Sequence, residues 1–261
     1  MDRFNEFLDF FNNPYSKEMT KNFGMIANYA STVLLSFTHL FDDITKDDEK
    51  SQQTANQCLD MIRTISGQLQ RTGIFCSALM NDNTKLRQIS AESYLNSFTS
   101  GCERILGEKC TVSAAVQQDF IIVTSRELLD LLLLGFIRKS CGPKNFAPKS
   151  DADIPVFDIS TGIKNGIPQI TVNTSTEITQ TKSDPFGSYE FFESFFDEFS
   201  SLIAKKLHIE IDTGSNYMTI KFTPNEYDDM ITFNSPTVQL AGEGRSIFRI
   251  MLEDLDTSQQ T

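Results

Sequence analysis

The feature that most constrains the fold is a pair of long amphipathic segments near the start of the chain. From Lys17 to Ile44, apolar residues recur at steps of three and four, which predicts one long helix. A polar stretch, 45–53, interrupts the pattern, and the same spacing resumes from Leu59 to Leu79. Two long helices joined by a short polar loop predict an antiparallel hairpin. Because each apolar stripe is too wide for one partner helix to cover, we expect a second copy of the chain to complete a four-helix bundle.

Composition limits the class of protein. A chain of 261 residues with 39% hydrophobic residues is long enough for two globular domains. The net charge of −12 repels phosphate backbones and anionic lipid, so we expect neither nucleic acid nor membrane as a partner. The five cysteines are odd in number and form no CxxC pair, which argues against a disulfide framework and a zinc site. With no signal peptide and no apolar run long enough to span a bilayer, we expect a cytoplasmic protein.

The second part of the chain mixes helical and strand patterns, which predicts an α+β fold. Ser90 and Ser125 are placed to cap two helices, one over 91–106 and one leucine-rich. The dipeptide Asn165-Gly166 predicts a tight hairpin turn. The remaining predictions are strands at 120–123, 154–160 and 167–174, a loop over 142–150, a helix over 188–207, a hairpin of 208–212 and 217–222, and a further strand near Val238 and short helix over 247–252.

Catalytic motifs are scarce. Of the two histidines, His39 lies within the first long helix with Asp42 and Asp43 after it, a placement that suits a phosphoacceptor. The alternative is a helix histidine with no special role. No phosphate loop, calcium loop, nucleophile elbow or HExxH metal motif is present, so we expect no cofactor and no metal.

The order of these elements resembles the cytoplasmic body of bacterial sensor histidine kinases. In that family a dimerising helical hairpin carries the phosphorylated histidine, and a two-layer α/β sandwich of the GHKL, or HATPase-like, type binds ATP. The stretches 203–211 and 218–224 closely follow the family's closing helix and hairpin. The resemblance implies a dimerisation domain at 1–85 and an ATPase-like domain at 86–261.

The family's phosphoacceptor motif is not retained at the matching position. Asn28 stands where the family has its histidine, and of the residues around it only Thr32 and Leu34 fit. His39 lies eleven residues later, three helical turns on and on nearly the same face. It could substitute as acceptor.

The nucleotide motifs are also changed. Gly135 and Lys139 replace the two asparagines of the family's magnesium motif, and Ser125 replaces an upstream acid. Because an ammonium group cannot ligate a cation, magnesium would lose a key oxygen ligand. Thr174 and Thr176 stand in the segment where the family reads adenine with an aspartate and glycines. The resemblance therefore implies a degenerate site.

Three hypotheses follow. The first is a catalytically inactive relative of the histidine kinases, a homodimeric binding or regulatory module in bacterial two-component signal transduction whose partner is a response regulator or an active histidine kinase. The second is a phosphotransferase, similar to the two-domain histidine phosphotransferases, that relays phosphate through His39. The third is an unrelated α+β protein whose element order matches the kinases by chance.

Overall fold

The computed structural model describes most of the second half of the chain and scattered positions before it. The described residues are 52–53, 55–56, 59, 67, 70–71, 73–75, 77–79, 86–107, 110–145, 155–175, 196–223 and 246–252, with only the backbone given for 142–145. The chain divides into two compact units, Met1–Met80 with Asp184–Phe192 and Asn81–Ser183 with Glu193–Thr261. The domain boundary at 85/86 stays a prediction.

In the first unit, the described positions between 52 and 79 are helical. Ala55, Leu59, Phe75 and Ala78 are buried, in keeping with an apolar stripe along the second predicted helix. The helix predicted from Lys17 to Ile44 lies outside the described residues. The hairpin and its dimer therefore stay predictions.

The second unit contains seven strands and four helices among its described residues. The helices are α1 (Ala91–Leu106), α2 (Arg126–Asn145), α3 (Phe196–Leu207) and α4 (Ile247–Leu252). The strands are β1 (Arg87–Ser90), β2 (Thr111–Val116), β3 (Ile121–Thr124), β4 (Val156–Lys164), β5 (Ile167–Thr174), β6 (Ile209–Thr213) and β7 (Tyr217–Phe222). The mixed α+β class is confirmed.

Five of the strands form one sheet in the order β2-β4-β5-β7-β6, in which only the β2–β4 pair is parallel. A separate antiparallel pair joins β1 to β3. Burial alternates along the central strands, with Phe157 and Ile159 buried in β4 and Met218 and Ile220 buried in β7. One face of the sheet therefore meets the core.

The helix α2 is the centre of that core. Its leucines at 128, 129 and 131–134 are all buried, so this stretch of α2 is covered by the protein on most of its sides. Its first turn is capped by Ser125, as predicted, with the Leu128 amide donating to the serine Oγ over 3.5 Å. None of the described helices is long and apolar enough to cross a membrane.

The predicted turn at Asn165-Gly166 is confirmed, since both residues have positive φ (56° and 79°) as a type I′ turn requires. Ser90 caps α1 as predicted, accepting a hydrogen bond from the Ser93 amide.

The strand predictions were incomplete, since β1 and β2 were missed and β4 runs to Lys164. The loop prediction over 142–150 was wrong at its start, because α2 continues to Asn145. A proline in the last turn costs one backbone hydrogen bond, which a helix with so much buried surface tolerates.

Candidate functional site

The candidate site begins on α2, where Gly135 and Lys139 lie one turn apart on the same face. The ring of Phe196, the first residue of α3, packs directly on Gly135. A Cβ placed on Gly135 would lie 2.8 Å from Phe196 Cδ2 and closer still to Cε2, nearer than real Cβ atoms approach. The absence of a side chain at Gly135 is therefore what admits the ring.

Lys139 is engaged by the same turn of α3. Its Nζ lies 2.7 Å from Asp197 Oδ1 and 5.6 Å from the centroid of the Phe196 ring. The lysine side chain is 22% exposed and the aspartate 63%, so the ion pair is partly screened by water and contributes at most about 1 kcal/mol. Phe196 and Asp197 thus cover the face of α2 that carries two of the predicted site residues.

Two other predicted site residues stabilise their own elements. Ser125 is buried at the start of α2, about 15 Å along the helix from Gly135 at 1.5 Å per residue. Thr174 is buried at the end of β5, where its amide donates to the Asn216 carbonyl over 2.8 Å. The structure therefore brings together Gly135 and Lys139 but assigns Ser125 and Thr174 to capping and pairing.

The other predicted positions are Asn28, His39 and Thr176. All three lie outside the described residues, so the phosphoacceptor prediction is untested. The second histidine, His208, is an exposed residue at the junction of α3 and β6, with a positive φ of 54°.

A buried polar cluster between α1 and α2 was missed. Asp130 Oδ1 accepts a hydrogen bond from the Tyr94 hydroxyl over 2.9 Å. The other carboxylate oxygen of Asp130, Oδ2, lies 3.5 Å from Arg126 Nε. The guanidinium also donates to Ser97 Oγ over 3.0 Å and lies over the Tyr94 ring. The sequence did contain a signal, since Asp130 interrupts the leucine run.

Burial controls the ionisation of this cluster. Burial raises the pKa of Asp130 to about 6, against the opposing effect of the Arg126 charge and the hydrogen bonds from Tyr94 and Arg126. Burial, and then the nearby Asp130 charge, raise the pKa of Tyr94 well above its ordinary value. Tyr94 therefore stays protonated as a hydrogen-bond donor, and Asp130 is a buried group that titrates near neutral pH.

Three cysteines of the second unit, Cys102, Cys110 and Cys141, are buried and free. Burial raises the pKa of the Cys102 and Cys141 thiols well above the ordinary value. Since the thiolate is the reactive form, these cysteines are poor nucleophiles. Across the described part of the chain, no group of three histidine, cysteine or acidic side chains converges to hold a metal ion.

No protein-family model matches the chain, and no curated protein matches it. Among solved structures it is similar to the histidine kinase AdeS of Acinetobacter baumannii, with a TM-score of 0.46 and 15% identity over 76% of this chain and 96% of that one. The blue-light-activated histidine kinase EL346 of Erythrobacter litoralis has a TM-score of 0.37 and 13% identity, over 66% of this chain and 60% of that one. The catalytic domain of the histidine kinase ThkA has a TM-score of 0.37 and 10% identity, over 53% of this chain and 96% of that one.

Proposed function

We propose that this chain is a catalytically inactive, histidine-kinase-like protein that acts as a dimeric binding or regulatory module in two-component signalling. The observation that carries the proposal is the contact of Phe196 and Asp197 with Gly135 and Lys139. A helical face that would have to receive a nucleotide and its magnesium ion is instead covered by the protein's own side chains.

Three properties of this contact argue against magnesium nucleotide binding. The Phe196 ring occupies the space above Gly135, so that space is not open to phosphate. Magnesium needs oxygen ligands, and Gly135 and Lys139 offer none from their side chains. The positive charge of Lys139, which could have attracted phosphate directly, is already paired with Asp197 at 2.7 Å.

The proposed partners follow from the resemblance and from charge. A response regulator or an active histidine kinase would bind a homodimer formed through the helical hairpin. The net charge of −12 disfavours nucleic acid as an alternative partner.

Titration with Mg-ATP while the melting temperature is followed tests the proposal. A nucleotide present at about 100 times its dissociation constant would stabilise the fold by about 2.7 kcal/mol, which is readily seen as a rise in Tm. We expect no rise for this chain at millimolar Mg-ATP, with the ATPase-like domain of an active histidine kinase as the positive control.

A clear rise in Tm would contradict the proposal. So would acid-labile phosphate on the wild-type chain, but not on a His39→Ala variant, after incubation with a phosphorylated response regulator. That result would favour the phosphotransferase hypothesis instead.

A further inference from the structure

Three of the five cysteines of the chain meet in the core of the second unit. Cys102 lies in α1, Cys110 stands directly before β2, and Cys141 lies in the last part of α2. Cys102 and Cys141 are fully buried and Cys110 is 3% exposed. Since no sequence motif joins them, the tertiary fold is what brings the three thiols together.

Two of these thiols are in direct contact. The Cys141 thiol is hydrogen-bonded to Cys110, and because the bond holds the proton on Cys141, Cys141 is the donor and the Cys110 sulfur the acceptor. Cys110 Sγ in turn donates to the Thr111 carbonyl over 4.0 Å. Cys102 lies near both sulfurs, but the hydrogen bond joins Cys110 and Cys141.

The contact between Cys110 and Cys141 is an arrangement from which a disulfide can close. Two sulfurs in hydrogen-bonding contact can reach bonding distance by rotation about the side-chain bonds, without a shift of α2 against β2. The crosslink would close the loop from 110 to 141. Closing a loop of this length stabilises a fold, because it removes conformations from the unfolded chain.

We propose that Cys110 and Cys141 form a redox-active pair, which hydrogen peroxide converts to an intramolecular disulfide that ties the start of β2 to the end of α2. In the reduced protein both are free thiols, as the structure shows. The disulfide is a second, oxidised state of the same fold. The proposal is independent of the binding role proposed above.

The reaction proceeds in two steps. The Cys110 thiolate attacks one oxygen of hydrogen peroxide, the O–O bond breaks, and the departing hydroxide takes up the thiol proton, which leaves a sulfenic acid and one water. The Cys141 thiolate then attacks the sulfenic sulfur, the S–S bond forms, and the S–O bond breaks to release a second water that carries the Cys141 proton. Two thiols are thus oxidised while one peroxide is reduced to two waters.

Exposure and charge assign the two roles. Cys110 is the most exposed of the three thiols, so a molecule little larger than water reaches it first. Burial raises the pKa of the Cys141 thiol, and the positive charge of Arg138, one turn earlier on α2, acts against that rise. Arg138 therefore favours the thiolate that the second step needs. Because the effect of burial dominates, we expect the disulfide to close slowly compared with that of an exposed dithiol.

Peptide mapping of the peroxide-treated, full-length chain tests the proposal. After alkylation of the remaining thiols under denaturing conditions, trypsin places Cys110 in peptide 110–126, Cys141 in peptide 140–144 and Cys102 in peptide 88–104. We expect peptides 110–126 and 140–144 to appear as a linked pair, lighter than their sum by two hydrogen atoms and separated by dithiothreitol. Glutathione in the same tube serves as the control for oxidation.

Two results of the mapping would overturn the proposal. One is the absence of the linked pair when the glutathione is fully oxidised, including the case in which Cys110 is oxidised by peroxide and stays unlinked. The other is a disulfide that joins Cys110 or Cys141 to a different cysteine.

The melting temperature distinguishes a disulfide of the native fold from one that forms in an opened chain. We expect the oxidised wild type to melt about 5–10 °C above the reduced wild type. The matched control is Cys102→Ala, which removes a buried thiol of the same cluster and should show the same rise. Cys141→Ala should show none.

A lower Tm for the oxidised wild type would contradict the proposal, as would an equal rise in Cys141→Ala. If Cys141→Ala does not fold, Cys110→Ala serves in the same comparison, and the peptide map of the wild type needs no variant.

Discussion

At the scale of single residues, Asp130 shows how a polar group is kept in an apolar core. A carboxylate among buried leucines would carry a large desolvation cost, which the hydrogen bond from Tyr94 and the charge of Arg126 only partly offset. Because that cost dominates, the pKa of Asp130 stays raised to about 6. The folded protein therefore holds this proton more tightly than the unfolded chain does.

The substitution Asp130→Asn should remove a pH dependence of the free energy of unfolding. The pKa of Asp130 is raised from 3.8 to about 6 in the folded state, so between these pH values the folded state binds more protons than the unfolded state. The contribution of Asp130 to stability is therefore highest below about pH 4 and falls as the pH rises through about 6. We expect the stability of wild type relative to Asp130→Asn to fall by the order of 2–3 kcal/mol from pH 4 to pH 7. Urea unfolding across this range measures it, and a constant difference would contradict the prediction.

At the scale of elements, the contact of α2 with α3 depends on one missing side chain. Gly135 is costly in the interior of a helix, by about 1 kcal/mol relative to alanine. The Phe196 ring packs where a side chain at position 135 would lie, which explains why a glycine stands there. The sequence alone indicated the helix and the glycine, but not the ring that covers it, because no periodic pattern says which residue of one helix meets which residue of another.

The effect of Gly135→Ala on stability should therefore change sign when Phe196 is also replaced by alanine. In the wild-type background we expect Gly135→Ala to destabilise the protein by about 1–3 kcal/mol, because the added methyl group displaces the ring. In a Phe196→Ala background the clash is absent, and the same change should be neutral or stabilising by up to about 1 kcal/mol through helix propensity. Chemical denaturation of the four proteins in a double-mutant cycle measures the coupling. Additive effects would show that the two residues do not meet.

At the scale of the whole molecule, the second unit is held together by segments far apart in the chain. Cys102 lies in α1, Cys110 just before β2 and Cys141 in α2, and all three thiols are buried. Burial excludes reagents and, for Cys102 and Cys141, raises the thiol pKa. The three thiols lie near one another, although they belong to three different elements, so together they report on the opening of one core.

The three cysteines should become reactive together. We expect all of them to resist iodoacetamide in the native protein and to become labelled at the same urea concentration, since a single core opens cooperatively. Mass spectrometry of digested samples distinguishes them from Cys58 and Cys76. Labelling of Cys110 well before Cys141 would show that the start of β2 opens independently of α2.

The sequence by itself determined much of the local structure of the second unit, although β1, β2 and the last turn of α2 were missed. Apolar spacing, the caps at Ser90 and Ser125 and the Asn165-Gly166 turn are interactions between near neighbours, so the helices and the hairpin could be predicted from them. That Gly135 and Lys139 replace residues of a kinase magnesium motif stays a prediction from the family resemblance. Only the tertiary structure decided what covers those positions, that Asp130 is paired with Tyr94 and Arg126, and that α4 docks between α1 and α2 through Arg138. These contacts join residues up to 113 positions apart, and their partners are selected by shape and burial, which leave no periodic trace in the order of residues.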